Sequence, residues 1–435
     1  MTARSFTTHP ALADDGVPRT NWSGNYHYSS SKVFQPATVA EVQDAVRSVS
    51  AVRALGTRHC FNHIADSQVA QISTLKLKDI SIAPDGHGVT VGAGIRYGDL
   101  AEVIDAKGYA LHNLASLPHI SVGGAVATAT HGSGMQNGNL ATEVLAIEFV
   151  AADGAVHTFS RERDGERFAG AVVSLGTLGI VTHITLSLQP RFEVAQVVYQ
   201  DLPFRELEQK LREIMGAGYS VSIFTDWQNG RAGELWIKRR VDRSGVSAPL
   251  PNFYSSKLAS TKLHPIPDHP AEACTDQLNS PGPWYERLPH FKMNFTPSSG
   301  QELQSEYFIP FEHGYEAIRA IETLRDQITP HLFITELRAV AGDELWMSMA
   351  YQRPSLAIHF TWKPEIAAVM KLLPQIEAKL APFQARPHWG KLFTLGVDQI
   401  QALYPRIGDF RALAHEFDPQ GKFRNQFIHE HVDKS

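Results

Sequence analysis

Between residues 38 and 50 the apolar positions Val39, Val42, Ala45 and Val46 recur at the spacing of one helical face. Thr38 followed by Glu41 supplies a capping box, so the pattern predicts a helix over 38–50. A strand Val52 to Leu55 follows and stops at a Gly56 turn. Residues 89–92 predict another strand, and 99–107 a short helix closed by Gly108. "VLAIEFVAADGAVHTFS", residues 144–160, predicts a hairpin turning at Asp153-Gly154. "GIVTHITLSLQP" predicts a strand ended by Pro190. Beyond it the texture changes. Predicted helices at 206–217, 313–327 and 365–380 alternate with strands at 220–224, 234–240, 303–309, 332–340 and 355–362. Residues 243–300, rich in Pro, Ser and Asn, predict a long ordered loop. A boundary near 191 separates a first domain, 1–191, from a second that starts at 192; pattern alone does not show where the second ends.

Composition narrows the class. The chain has 435 residues, too many for one ordinary core. Its 43% hydrophobic and 20% charged content are those of a soluble globular protein. A formal net charge of −5 gives no electrostatic case for nucleic acid or an anionic membrane as partner. Two cysteines, Cys60 and Cys274, exclude a disulfide framework and fit a reducing compartment. The first 20 residues lack the apolar run of a secretory signal, so a cytoplasmic location is expected.

From Gly108 to Thr142 no Lys, Arg, Asp or Glu occurs, and Pro118 with many glycines interrupts any membrane helix. Within it, "SLPHISVGGAVATATHGSG" (116–134) offers accessible backbone amides without competing charge, able to hold a pyrophosphate or simply to pack as a small-residue core. "GAGIRYG" (92–98) and "GSGMQNG" (132–138) miss the dinucleotide spacing by one residue, and no phosphate-loop motif occurs; a Rossmann fold is rejected. "GTRHCFNH" places His59 behind the Gly56 turn, four residues before His63. Three readings compete for His59: a zinc pair with His63, a buried structural histidine, or an attachment point for a group held by the turn.

"GTRHCFN", "LASLPHISVGGAVATATHGSG", "TELRAV", "HFTW", "RPHWGK" and "FDPQGKFRNQF" together resemble the alditol (xylitol) oxidases, of the vanillyl-alcohol-oxidase type of flavoproteins. The resemblance runs from Asn21 nearly to the end. It implies an α+β fold of two domains, an FAD-binding domain of the PCMH type and a cap with a largely antiparallel sheet, with 388–435 returning to the first domain. It implies that Gly56, Thr57, Arg58, His59, Cys60, Phe61 and Asn62 cradle the FAD pyrophosphate, with His59 carrying the flavin covalently and Gly56 letting the backbone approach the phosphates. Ser116, Ser121, Gly124, Thr128, Ala129, Thr130 and His131 would also contact the cofactor, as would Ile180, Val181 and His388. Cys60 stands where relatives commonly carry serine, and no second, cysteinyl tether is expected.

Alternation in the second half points the same way. Ile334, Glu336 and Arg338 share one strand face, His359 and Thr361 another, Gln304 and Glu306 a third. Glu336 and Arg338, two apart, would neutralise each other while presenting donors and acceptors to hydroxyls. The resemblance assigns substrate contact to Ser116, Gln304, Glu336, Arg338, His359, Thr361 and Lys391, the catalytic groups being Glu336, Arg338, His359 and Lys391. Oxidation of a terminal polyol alcohol to the aldehyde is expected, with O2 reduced to H2O2, by a monomer that holds no metal. The rivals are an aldonolactone oxidase or dehydrogenase of the same family, a non-catalytic flavin- or sugar-binding protein, and a metal hydrolase using His59 and His63.

Overall fold

The computed structural model describes residues 16–242 and 244–433, so most of the stretch read as lacking a secretory signal lies outside the described residues. The first helix forms as Val39–Arg47, three residues shorter at its end than its pattern suggests, because Ser48 turns its hydroxyl onto the Ala45 carbonyl at 2.8 Å. Thr38 Oγ1 accepts from the Glu41 amide, while the Glu41 carboxylate accepts from Ala37, one residue earlier than in a capping box. Val42, Ala45 and Val46 enter a small core with Val52, Ile72, Val150, Ile180 and Phe423.

A parallel three-stranded sheet places Gln71–Ser73 between Val33–Phe34 and Arg53–Leu55. Beside it, a five-stranded antiparallel sheet runs in the order Ile80–Ile82, Gly88–Gly92, Ile180–Ser187, Val144–Val150, Val156–Ser160. The expected hairpin supplies the last two strands, with Gly154 at φ +83 in its turn.

Residues 193–387 build a separate ten-stranded sheet whose pairings are all antiparallel. Its longest strand, Glu193–Pro203, is absent from the sequence reading: residues 194–199 are buried on both faces and so show no alternation. Helices Phe204–Met215, Gly314–Glu322 and Ile366–Leu380 pack with one another and against the sheet. The helix expected over 313–327 is two, Gly314–Glu322 and Arg325–Ile328, parted where Leu324 leaves helical geometry at ψ 3. The stretch 244–300 stays largely irregular, though Asn252–Phe253 and Ser256–Leu258 form a short hairpin on the sheet edge.

The chain's last part closes back on its first. Arg53, buried on its strand, donates to the carbonyls of Ile64, Leu175, Gly176 and Phe423. Asn425 donates to the carbonyls of His63, Ile64 and Asp66. Buried carbonyls left unpaired would each cost about 1–3 kcal/mol, so these two side chains weld three loops together. No helix among the described residues is long and apolar enough to cross a membrane.

Candidate active site

A void of about 1730 Å³, counting the part open to solvent, is lined by loops of the first region and by the ten-stranded sheet. Three loops of the first region form one wall, and each turns through a non-glycine residue in the left-handed region: Arg58 at φ 65, Ala129 at φ 52 and Leu175 at φ 51. Such backbone strain persists where the surroundings impose it, commonly at ligand clamps.

In the loop Gly56 to Asn62, the amides of Arg58, His59 and Cys60 donate to no described residue while all three residues line the void. Consecutive free N–H groups around a left-handed residue make an anion-binding concavity, as a pyrophosphate requires. A Cβ on Gly56 would meet Ser121 Oγ at 2.4 Å, so this glycine permits close loop-to-loop packing. Thr57 and Ser121 seal that contact, the Ser121 amide donating to Thr57 Oγ1 at 3.0 Å.

His59 faces the same void, stacked on Trp22 at 5.2 Å, and neither ring nitrogen meets a partner in hydrogen-bond geometry. Burial, with nearby His119, Lys391 and Arg58, lowers its pKa to about 3, so the imidazole is neutral and keeps a lone pair available for bonding. The zinc reading fails on geometry: His63 turns away to Glu430 at 3.0 Å, and no metal-binding cluster occurs among the described residues. Cys60 is a neutral thiol, pushed up to about 11 by burial.

The opposite wall is the antiparallel sheet. Its register aligns Glu336, His359 and Glu306 in one row across three strands, with Ile334, Thr361 and Gln304 in the next. Arg338 follows Glu336 on the same face. Arg338 Nη2 donates to Glu306 Oε1 at 2.9 Å and Nη1 to Ser116 Oγ at 3.1 Å, whereas Nε stands 3.5 Å from Glu336 Oε1. The Glu336–Arg338 contact is the longer of the two ion pairs, yet each residue is the leading charge that offsets the other's burial.

Glu306, 1% exposed, is the hub that the sequence reading left out of the site. Besides Arg338 it accepts from His131 Nε2 at 2.9 Å and lies 3.2 Å from His359 Nδ1. Burial alone would raise its pKa, but His131, His359 and Arg338 hold it well below the usual carboxylate range. Burial would likewise raise Glu336, and Arg338 and His290 more than reverse it. Both folded values lie under the unfolded value of about 4.3, so their ionisation stabilises the fold at any higher pH; that contribution fades only in more acidic solution.

Lys391 is positioned from both sides. The Phe61 amide donates to the Gly390 carbonyl, and Asn62 Nδ2 donates to the carbonyls of Trp389 and Lys391, each at 2.8 Å. On the other side, the amides of His388 and Leu392 donate to Glu306 and Gln304 of the strand Leu303–Pro310. Lys391 Nζ donates to Gln304 Oε1 and sits 5.0 Å over the Phe61 ring.

Gly56, Thr57, Arg58, His59, Cys60, Phe61, Ser116, Ser121, Gly124, Thr128, Thr130, His131, Val181, Gln304, Glu336, Arg338, His359, Thr361, His388 and Lys391 all line the void. Three expected residues do not. Asn62 holds the Lys391 segment, Ala129 makes the left-handed turn between two lining threonines, and Ile180 is in the small core of the first region. Among the unforeseen lining residues are Glu306, His290, Phe224, Ile266 and Phe291. Glu306 was legible from its strand face; the loop residues carry no period that marks them.

Comparison with known proteins follows this geometry. Residues 30–160 match a family of FAD-binding domains, and 294–431 match the D-arabinono-1,4-lactone oxidase family. The chain is 47% identical to an alditol oxidase of a Streptomyces strain over 95% of its own length and 99% of the relative's. It is 26% identical to L-gulono-1,4-lactone dehydrogenase of Mycobacterium tuberculosis, over 94% of this chain and 97% of that one. The fold matches cholesterol oxidase from B. sterolicum with a TM-score of 0.77, at 15% identity, covering 95% and 96% of the two chains. The expected α+β fold, an FAD-binding domain joined to a second domain with an antiparallel sheet, is therefore correct. The chain belongs to the alditol oxidase family of FAD-binding flavoproteins.

Proposed function

We propose that the protein oxidises the terminal primary alcohol of a polyol such as xylitol or sorbitol to the aldose, with O2 reduced to H2O2. The observation that carries this is the doubled row of polar side chains, Glu336–His359–Glu306 and Thr361–Gln304, facing the void across from His59. FAD, when bound, supplies the acceptor for the two electrons leaving the carbinol carbon and returns them to O2. The chain's own groups do the rest. Ser116, Gln304, Glu336, Arg338, His359 and Thr361 offer alternating donors and acceptors to successive hydroxyls. Lys391, half-buried at the void, would favour negative charge developing near it. His359, close to the ionised Glu306, is placed to accept the hydroxyl proton.

On this reading residues 1–191 with 388–435 form the FAD-binding domain, supported by the Arg53 and Asn425 contacts, and 192–387 form the cap. Both cysteines are free, in keeping with the cytoplasm.

Buried polar groups left unpaired by a missing hydroxyl penalise an incomplete substrate by about 1–3 kcal/mol each. Xylitol and sorbitol should therefore exceed 1-pentanol in kcat/KM by at least about 100-fold in a peroxide assay. Comparable rates with 1-pentanol would overturn the assignment of the lining. Faster turnover of L-gulono-1,4-lactone than of any polyol would favour the lactone reading, which the 26% identical mycobacterial dehydrogenase brings into the comparison.

The unpartnered His59 further supports a covalent flavin tether at this residue. After acid precipitation the wild-type pellet should stay yellow, whereas His59→Ala should release its flavin to the supernatant. Because the amides of 58–60 remain, that variant should still bind FAD reversibly before denaturation. Flavin that resists acid in His59→Ala would remove the tether from this position.

A further inference from the structure

We infer that Lys238 and His290 are positioning residues: a chain of two hydrogen bonds behind Glu336 grips its Oε1 and leaves Oε2 facing the void as acceptor for a substrate hydroxyl. This deepens the polyol reading and rests on it. Neither residue belongs to the set expected from sequence.

Lys238 lies on the strand Arg231–Arg240 and is 1% exposed. Its Nζ meets three acceptors and no carboxylate: the carbonyls of Leu288 at 2.6 Å and Pro289 at 2.9 Å, and His290 Nδ1 at 3.2 Å. Three acceptors match the three N–H groups of an ammonium. Burial draws Lys238 down to about 7, with the Glu336 charge opposing it. His290 Nε2 lies 2.7 Å from Glu336 Oε1. An ionised carboxylate can only accept, so Nε2 carries the proton and Nδ1 receives one from Lys238. The imidazole is thereby held neutral in one tautomer, and burial, which lowers His290 to about 4, acts in the same direction.

Both protein contacts of the Glu336 side chain, His290 and Arg338 Nε, fall on Oε1. Glu336 and His290 line the void, whereas Lys238 stands behind them. The loop 244–300 has a purpose in this arrangement. His290 sits near its end, fixed by its amide donating to the Ser116 carbonyl at 3.0 Å. The loop thus couples its own placement to the orientation of the site carboxylate.

The competing role for His290 is packing, since its ring meets Trp236 at 5.2 Å and Phe224 at 5.6 Å, both edge-on. Two substitutions separate the roles in the flavin-loaded full-length enzyme. Glutamine can accept from Lys238 and donate to Glu336; phenylalanine keeps the ring contacts and cuts the chain. In a peroxide assay with xylitol, His290→Gln is expected within about 10-fold of wild-type kcat/KM, and His290→Phe at least about 100-fold below it. Equal activities, or phenylalanine the better of the two, overturn the inference. Should both variants misfold, neutron diffraction of the wild-type holoenzyme decides: a deuteron on His290 Nε2 and none on Nδ1 is expected, and a deuterated Nδ1 overturns it. Wild-type protein inactive on every polyol would defeat the functional reading, while the tautomer measurement would still report on the hydrogen-bond chain.

Discussion

Lys391→Met is expected to lower the rate of flavin reduction by xylitol about 10²- to 10³-fold while moving substrate affinity much less, as loss of one preorganised charge-stabilising group does elsewhere. The reason lies in where the cation is held. Its backbone is clamped between the loop Gly56 to Asn62 and the strand Leu303–Pro310, and its Nζ is turned into the void against Gln304. Burial lowers its pKa and the charge of Glu306 opposes that, so its charged form carries a desolvation cost. Negative charge appearing during the reaction would recover that cost, which places the effect in the transition state. Methionine has similar length and no charge, so packing over the Phe61 ring survives. Stopped-flow reduction at the wild-type rate, with only a raised KM, would refute the role.

The largest stability effect is expected at Arg338. Arg338→Met should destabilise the protein by about 3–5 kcal/mol, because it orphans one partner of a buried ion pair. Glu306 would keep only His131 and His359, and Glu336 only His290, so one or both carboxylates would take up a proton near neutral pH. The double variant Glu306→Gln with Arg338→Met should recover part of the loss, since it removes the stranded charge. Denaturant unfolding of the four proteins of this cycle checks it. Additive losses would mean that the pair is not coupled through the 2.9 Å contact.

Much of this protein was legible from the chain alone wherever one periodicity ruled. The hairpin 144–160, the strands 332–340 and 355–362 and the helices Phe204–Met215 and Ile366–Leu380 form within a residue or two of their patterns. Period-2 alternation also placed Glu336, Arg338, His359 and Thr361 on the faces they occupy. Glu193–Pro203 escaped because burial on both sides erases alternation, and Lys238 because one buried lysine in "ELWIKRR" looks like the solvated lysine of an edge. Strand direction and face are local properties, set by the sterics and polarity of adjacent residues, and sequence determines them. Which strand lies beside which, and in what register, is a long-range matter of shared burial. Only the tertiary structure could bring Glu306 between His131, Arg338 and His359, swing the loop 244–300 until His290 bridges Lys238 to Glu336, and return residues 388–392 to carry Lys391 into the void. Those contacts join residues 30 to more than 300 positions apart, and their energy depends on desolvating several charges together, which no local pattern encodes.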